Sequence, residues 1–217
     1  MPPRFITIGD YMREIRHNIL EDPGKFELIC LPCSCYQKKD GTIPVQKKER
    51  TFFTQLVELY PNLPAEMGKG VEKYGNCPAI LSYVPNIKNT TKFTTFPVSP
   101  TGMRAEHPDD YVYHRLRGSF KDYALLPGWA LIPRSDMVEF AAIKLAEIIK
   151  YYKLTKVAIP FEMFTLDRED KDDYTRIKNI IAGHCGEGLY IVSKPSDPSG
   201  GTVTNATVQS SVTYEDE

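Results

Sequence analysis

No stretch of this sequence stays apolar for the roughly 18–20 residues that a helix crossing a bilayer requires, so no membrane span is expected. Neither sign of charge is in excess. The 27 Lys and Arg stand against 28 Asp and Glu, a formal net charge of −1. Such a balance offers no overall basic field for a nucleic acid. Tryptophan occurs once, as Trp129. Cysteine is sparse and odd in number: the five are Cys30, Cys33, Cys35, Cys77 and Cys185, at spacings unlike a disulfide framework. A zinc site needs a matched ligand set, and His17, His107, His114 and His184 are scattered. Reduced thiols, no metal and no cofactor are therefore expected. Cys33 and Cys35 have no adjacent base to activate them.

What is present describes a globular chain. Of its 217 residues 41% are hydrophobic and 25% charged, enough for one core of ordinary size. Asp10 and Glu14 come too early for a secretory signal, so a cytoplasmic protein is expected. One domain over residues 1–194 is expected, followed by a tail, 195–217, rich in Ser, Thr and Gly that should be disordered.

The most informative region is 142–192, whose pattern alternates helix, apolar strand (156–160), loop, helix, strand (189–192). This places the loop 161–172 at the carboxyl end of a buried strand and before a helix N-terminus, where open α/β sheets receive anionic ligands. Upstream, Arg4–Asp10 alternates like a strand, and Met12, Ile15 and Ile19 predict a short helix over 11–19. Phe26–Pro32 is a continuous apolar run of the kind buried on both faces of a sheet. A 3.6-residue pattern predicts a helix over 47–60. Gly68–Asn76, glycine-punctuated, reads as a linker, and 79–84 and 92–98 read as strands. Residues 99–128 lack a sustained period but hold Tyr111, Tyr113, Phe120 and Tyr123, which suits an ordered lid. Ser135 is placed as the N-cap of a strong amphipathic helix.

In this order the parts resemble a macro domain, most closely the branch of the DNA ADP-ribosyl glycohydrolase antitoxins. Four stretches carry the resemblance: Ile6-Thr7-Ile8-Gly9-Asp10; Phe26 to Pro32; Gly75 to Val84 with Lys92 to Pro97; and Trp129, Ser135, the helix to Tyr152 and Thr155 to Pro160. Together they cover most of residues 5–192. The resemblance implies a three-layer α/β/α fold with a mixed central sheet. It also implies that Asp10 accepts a hydrogen bond from an adenine amino group. The implied ligand is ADP-ribose or a related adenine nucleotide, lined by Asp10 and Tyr11, by Pro32, Cys33, Ser34 and Cys35, by Phe96, Pro97 and Val98, and by Phe161, Glu162, Met163, Phe164 and Thr165.

Both ligand loops depart from the family. Where the family has a glycine-rich loop wrapping the diphosphate, this chain reads Phe161 to Asp167 without a glycine. Close backbone approach and positive φ come cheaply only without a Cβ. The family's Asn and glycine run is replaced by Cys33 to Gly41, and Met67-Gly68-Lys69-Gly70 falls too late to substitute, which reads as coincidence in a linker. Several residues keep two readings. Asp10 reads adenine or turns the chain. Lys38, Lys39, Lys47, Lys48 and Arg50 neutralise phosphates or form a solvated face. Trp129 stacks on a base or packs in the core. His107, Asp109, Asp110 and His114 supply a base or metal pair, or are surface groups. Glu162 and Asp167 include a catalytic base only if buried. Three functions stay open: a nucleotide-binding module, a hydrolase of ADP-ribosyl or nucleotide derivatives, and a scaffold without ligand acting through protein contacts. A small-molecule nucleotide is the expected partner, with nucleic acid only as an ADP-ribosylated substrate.

Overall fold

The computed structural model describes residues 13–45, 51–81, 91–99, 112, 116–126, 130–164, 171–186 and 188–193. Its centre is a sheet of five strands: β1 (Arg13–Arg16), β2 (Leu28–Ser34), β3 (Lys92–Ser99), β4 (Val157–Pro160) and β5 (Leu189–Ser193), in the order β1-β5-β4-β2-β3. Every pairing among these described strands is parallel. The mixed sheet implied by the resemblance is not seen in them; among the described residues antiparallel pairing occurs as isolated bridges, Ile80 to Thr94 and Val112 to Leu131.

The central strands β2 and β4 are apolar along almost their whole length because both of their faces are covered. In β2, Leu28 and Cys30 point to one core while Ile29, Leu31 and Cys33 point to the other. The period of two repeats in β4, with Val157 and Ile159 opposite Ala158. Helices α3 (Ser135–Tyr152) and α4 (Lys171–Cys185) cover the first face with Val138, Ala141, Ala142, Leu145, Ile177 and Ile181. Helices α1 (Phe52–Leu59) and α2 (Leu63–Tyr74) cover the second with Phe52, Leu56, Leu63, Met67 and Val71. The result is the three-layer α/β/α architecture.

Several expectations shift. The helix expected over 11–19 is replaced by β1: Arg13–Arg16 pairs with Tyr190–Ser193, and the His17 N–H donates to the Ser193 carbonyl at 3.0 Å. Only Ile15 turns toward the core, and its exposed neighbours Arg13, Glu14 and Arg16 suit a sheet edge. The helix expected from 47 begins at Phe52, after Thr51, whose hydroxyl accepts the Thr54 N–H at 3.1 Å; residues 46–50 lie outside the described set. Ser135 is the first helical residue rather than the cap, which is Arg134. The supposed strand 79–84 is described only to Leu81, where it forms the bridge to β3. In the stretch expected to be a lid, 99–128, Val112 and Leu126 form a small core with the following Ala130 and Leu131 and with Leu116 and Phe120, while Tyr123 is exposed; Tyr111 and Tyr113 are outside the described residues.

The expected linker at Gly68 is the middle of α2, with Met67 fully buried. Leu63, Met67 and Val71 share one face, and glycines at 68 and 70 let the helix sit close. A Cβ on Gly68 would stand 1.9 Å from the Gly41 carbonyl oxygen. The glycines are there for contact, which the eye takes for a break in the pattern.

At the amino ends of β2 and β4 a single carboxylate closes the chain. Glu27 Oε2 accepts from Thr155 N at 2.7 Å, Lys156 N at 2.9 Å and Thr155 Oγ1 at 3.1 Å. The backbone hydrogen bond from Thr155, foremost, holds its pKa below the ordinary 4.5.

Two outcomes are expected in urea denaturation. Gly68→Ala should destabilise by at least about 1–3 kcal/mol through overpacking against backbone. Gly183→Ala in α4, where a Cβ meets nothing within 4 Å, should stabilise by roughly 0.5–1 kcal/mol. Because the folded pKa of Glu27 is depressed, its contribution is present above the unfolded value and is lost as pH falls through the folded one. The parent chain should therefore lose more stability than Glu27→Gln on acidification below pH 4.5, read from denaturation midpoints at each pH.

Candidate functional site

Parallel pairing brings the carboxyl ends of β2, β4, β5 and β3, at Ser34, Pro160, Ser193 and Ser99, to one rim. The loops following β2 and β4 leave from that rim, as open α/β sheets arrange their ligand crevices.

The loop after β2 is tied down along its length. Cys35 N donates to the Ser99 carbonyl at 3.0 Å, Ile43 N to the Pro64 carbonyl at 3.1 Å, and the Gln37 amide to the Gly68 carbonyl. Its tip is a tight turn: Lys38 N donates to Thr42 O at 2.9 Å, Gly41 has φ +79°, and Asp40 Oδ1 accepts from Thr42 N at 3.0 Å and Thr42 Oγ1 at 2.7 Å. These hydroxyl and amide donors lower the Asp40 pKa. Lys38 and Lys39 flank the turn and are exposed.

Cys33 and Cys35 both face the α2 side and are buried. The Cys35 thiol donates to Asn76 Oδ1 at 3.3 Å, just beyond the end of α2. Burial pushes the Cys35 pKa up to about 11 and that of Cys33 higher still. Cys30 is raised as well, and Cys185 to about 12, by the same loss of water. These thiols are packing groups rather than nucleophiles. Among the described residues no group of three or more His, Cys, Asp or Glu comes together to hold a metal.

The loop after β4 takes a form that its composition dictates. Without glycine, the chain from Pro160 keeps negative φ and closes a 3₁₀ turn over Phe161–Met163, with Phe164 N donating to the Phe161 carbonyl at 3.0 Å. Phe161 and Phe164 turn inward and are only 5% and 4% exposed. Their ring centroids are 5.1 Å apart. Phe164 meets Phe96 edge-on at 6.1 Å, and Phe161 leans on Tyr174 of α4 at 5.8 Å. Lys178 Nζ lies 5.0 Å from the Phe161 centroid and pairs with Glu14 at 2.7 Å. The aromatic cluster seals the space between α4 and the sheet with hydrocarbon.

Of the residues expected to line a ligand, Pro32, Cys33, Cys35, Phe96, Pro97, Val98, Phe161 and Phe164 are buried in the described structure. Ser34 and Met163 are half-buried, and Glu162 is exposed, without the burial that a catalytic base there would need. The two faces divide them: Phe96, Val98, Phe161 and Phe164 belong to the α3/α4 core, Cys33, Cys35 and Met163 to the α1/α2 core. Asp10, Tyr11 and Thr165 lie outside the described residues, as do Trp129, Asp167, His107, Asp109, Asp110, His114, Lys47, Lys48 and Arg50.

One network at the rim has no counterpart in the expectations above. Asp173, buried in the first turn of α4, holds Arg176, and Arg176 also donates to Ser135 Oγ at the start of α3. Arg134 chelates Asp136, with Nε to Oδ1 at 2.9 Å. The i,i+3 spacing of Asp173 and Arg176 was the available signal.

A three-layer α/β/α domain with its loops gathered at one rim is consistent with the macro-like class of fold. Solved structures agree with that class. The macrodomain of Thermus aquaticus DarG aligns with a TM-score of 0.53 at 14% identity, over 85% of this chain and 98% of that one. The macrodomain of Mycobacterium tuberculosis DarG aligns with a TM-score of 0.51 at 11% identity, over 85% and 98%. Thermosipho africanus DarTG, solved in complex with ADP-ribose, aligns with a TM-score of 0.50 at 8% identity, over 87% of this chain and 43% of that one. The sequence matches no family model and no curated protein, and at these identities the likeness is one of fold.

Phe164→Ala would open a cavity among Phe161, Phe96 and α4. A loss of about 3–5 kcal/mol is expected by chemical denaturation. A loss under about 1 kcal/mol would mean the ring does not hold the loop shut.

Proposed function

We propose that this chain binds ADP-ribose or a related adenine nucleotide at the carboxyl rim of β2, β4 and β3, without hydrolysing it. The observation that carries the reading is the macro-like fold, which it shares with a protein solved in complex with ADP-ribose. The rim itself supports it, since parallel strand ends and the loops leaving them are where such sheets take ligands.

With Phe161 and Phe164 packed inward, those rings are the floor of the site rather than its walls. A nucleotide would lie over the 3₁₀ turn, against Ser34, Glu162 and Met163, with Asp10 and Tyr11 meeting the adenine. The diphosphate would lack a glycine cradle and the affinity would be modest. The binding reading is preferred to the hydrolase because Glu162 is exposed and the buried carboxylate of the described rim, Asp173, is engaged by Arg176.

A specific observation favours a second reading. Aromatic packing that fills the loop after β4 with hydrocarbon suits a scaffold that has lost its ligand and works through protein contacts.

Thermal unfolding with ADP-ribose, NAD and ADP separates the two. Ligand at a hundredfold excess over its Kd stabilises by about 2.7 kcal/mol, which moves Tm by roughly 5–10 °C in a chain of this size. Asp10→Ala should abolish an adenine-dependent shift, whereas a full shift in that variant would remove Asp10 from the site. No shift with any of the three compounds supports the scaffold.

A further inference from the structure

The end of the sheet opposite the rim carries a surface of different chemistry. There the chain enters β2, β3 and β4 and leaves α3. Lys25, Lys92, Lys150, Lys153 and Lys156 are all exposed at this end. Backbone bonds hold them together. Glu27 N donates to Lys156 O at 2.8 Å, Lys92 N to Glu27 O at 3.0 Å, and the Thr91 hydroxyl reaches the carbonyls of Pro23 and Phe26 at 3.1 and 2.7 Å. Lys153 sits in the left-handed conformation, φ +53°, where α3 turns off toward β4.

Among the described residues none of these five lysines forms an ion pair within 4 Å. The carboxylate in their midst, Glu27, accepts from the Thr155 and Lys156 amides and also attracts the Lys156 charge, which leaves Lys25, Lys92, Lys150 and Lys153 as the less compensated cations. The formal net charge of −1 therefore conceals a local concentration of cations.

Aromatic rings interleave with those cations. Tyr151 is 80% exposed and Tyr152 50%, with centroids 4.9 Å apart in a T-shaped pair. Lys92 Nζ lies 5.5 Å from the Tyr152 centroid, which fixes that ring against β3 and leaves Tyr151 facing solvent. A ring this open presents a free face on which a planar group can stack. An acidic peptide would use the lysines but not the rings. A duplex would use the charges and keep its bases stacked out of reach. A single strand uses both, phosphates on ammonium groups and a base on a tyrosine face.

We propose that this amino-end surface of Lys25, Lys92, Lys150, Tyr151, Lys153 and Lys156 binds single-stranded nucleic acid, independently of any ligand at the rim. The test is fluorescence anisotropy of the full chain with a labelled oligothymidylate at rising salt. Binding is expected at low salt, with log K falling against log salt at a slope near −0.7 for each phosphate neutralised, hence about −2 to −3 for three or four contacts. Tyr151→Ala should weaken binding on the order of tenfold. Lys92→Glu with Lys153→Glu should weaken it further, and all variants should keep the parent's thermal melt because the side chains are exposed. No binding at the lowest salt overturns the proposal. So does equal affinity for a duplex of the same length, binding unchanged in the variants, or binding to phosphatidylserine vesicles in place of the oligonucleotide.

Discussion

The central strands β2 and β4 have water on neither face, and the rest of the structure follows from that. Leu28 through Cys33 sit between two helical layers, so every residue of β2 must be apolar or able to hide its polar atom, and the cysteines serve as small hydrophobes. Such strands need crossover connections, and these return each chain segment to the same end of the sheet before the next strand begins. Loops of one kind thus collect at the carboxyl end and loops of the other kind at the amino end. The two ends become chemically distinct without any single residue requiring it. One is packed with aromatic rings and paired guanidinium groups; the other is open, basic and studded with tyrosine.

Legibility followed the same physics. β2, β4, β5, α3 and α4 announced themselves because burial on both faces demands unbroken apolar runs, and a helix packed on one side demands a stripe. β1 was hidden: the spacing of Met12, Ile15 and Ile19 mimics a helix, while the partner that makes 13–16 a strand lies over 170 positions away in β5, as in the Arg13–Tyr190 pair separated by 177. α2 is obscured because glycine signals a break in local terms, whereas Gly68 is required by a neighbour that no local window contains. Tertiary contact, in both cases, outweighed propensity.

The candidate site was legible in outline only. Its position at the ends of β2 and β4 follows from strand and helix order. The direction in which Phe161 and Phe164 point does not, since an aromatic residue in a loop can line a cleft or fill a core. What decides is the lack of glycine: a 3₁₀ turn with negative φ throughout points its first and fourth side chains to one side, and here that side is the α4 interface. The absence that weakened the resemblance to glycine-rich loops is the same absence that makes the turn a hydrophobic staple.

The contact between Gly68 and Gly41 joins the segment after β2 to α2 with no side chain between them. The close approach ties this segment to the helix at the point where the two cross. A nucleotide bound beside Ser34, as proposed above, would meet a wall that was set when the helix packed, and fit there would be a matter of shape already cast.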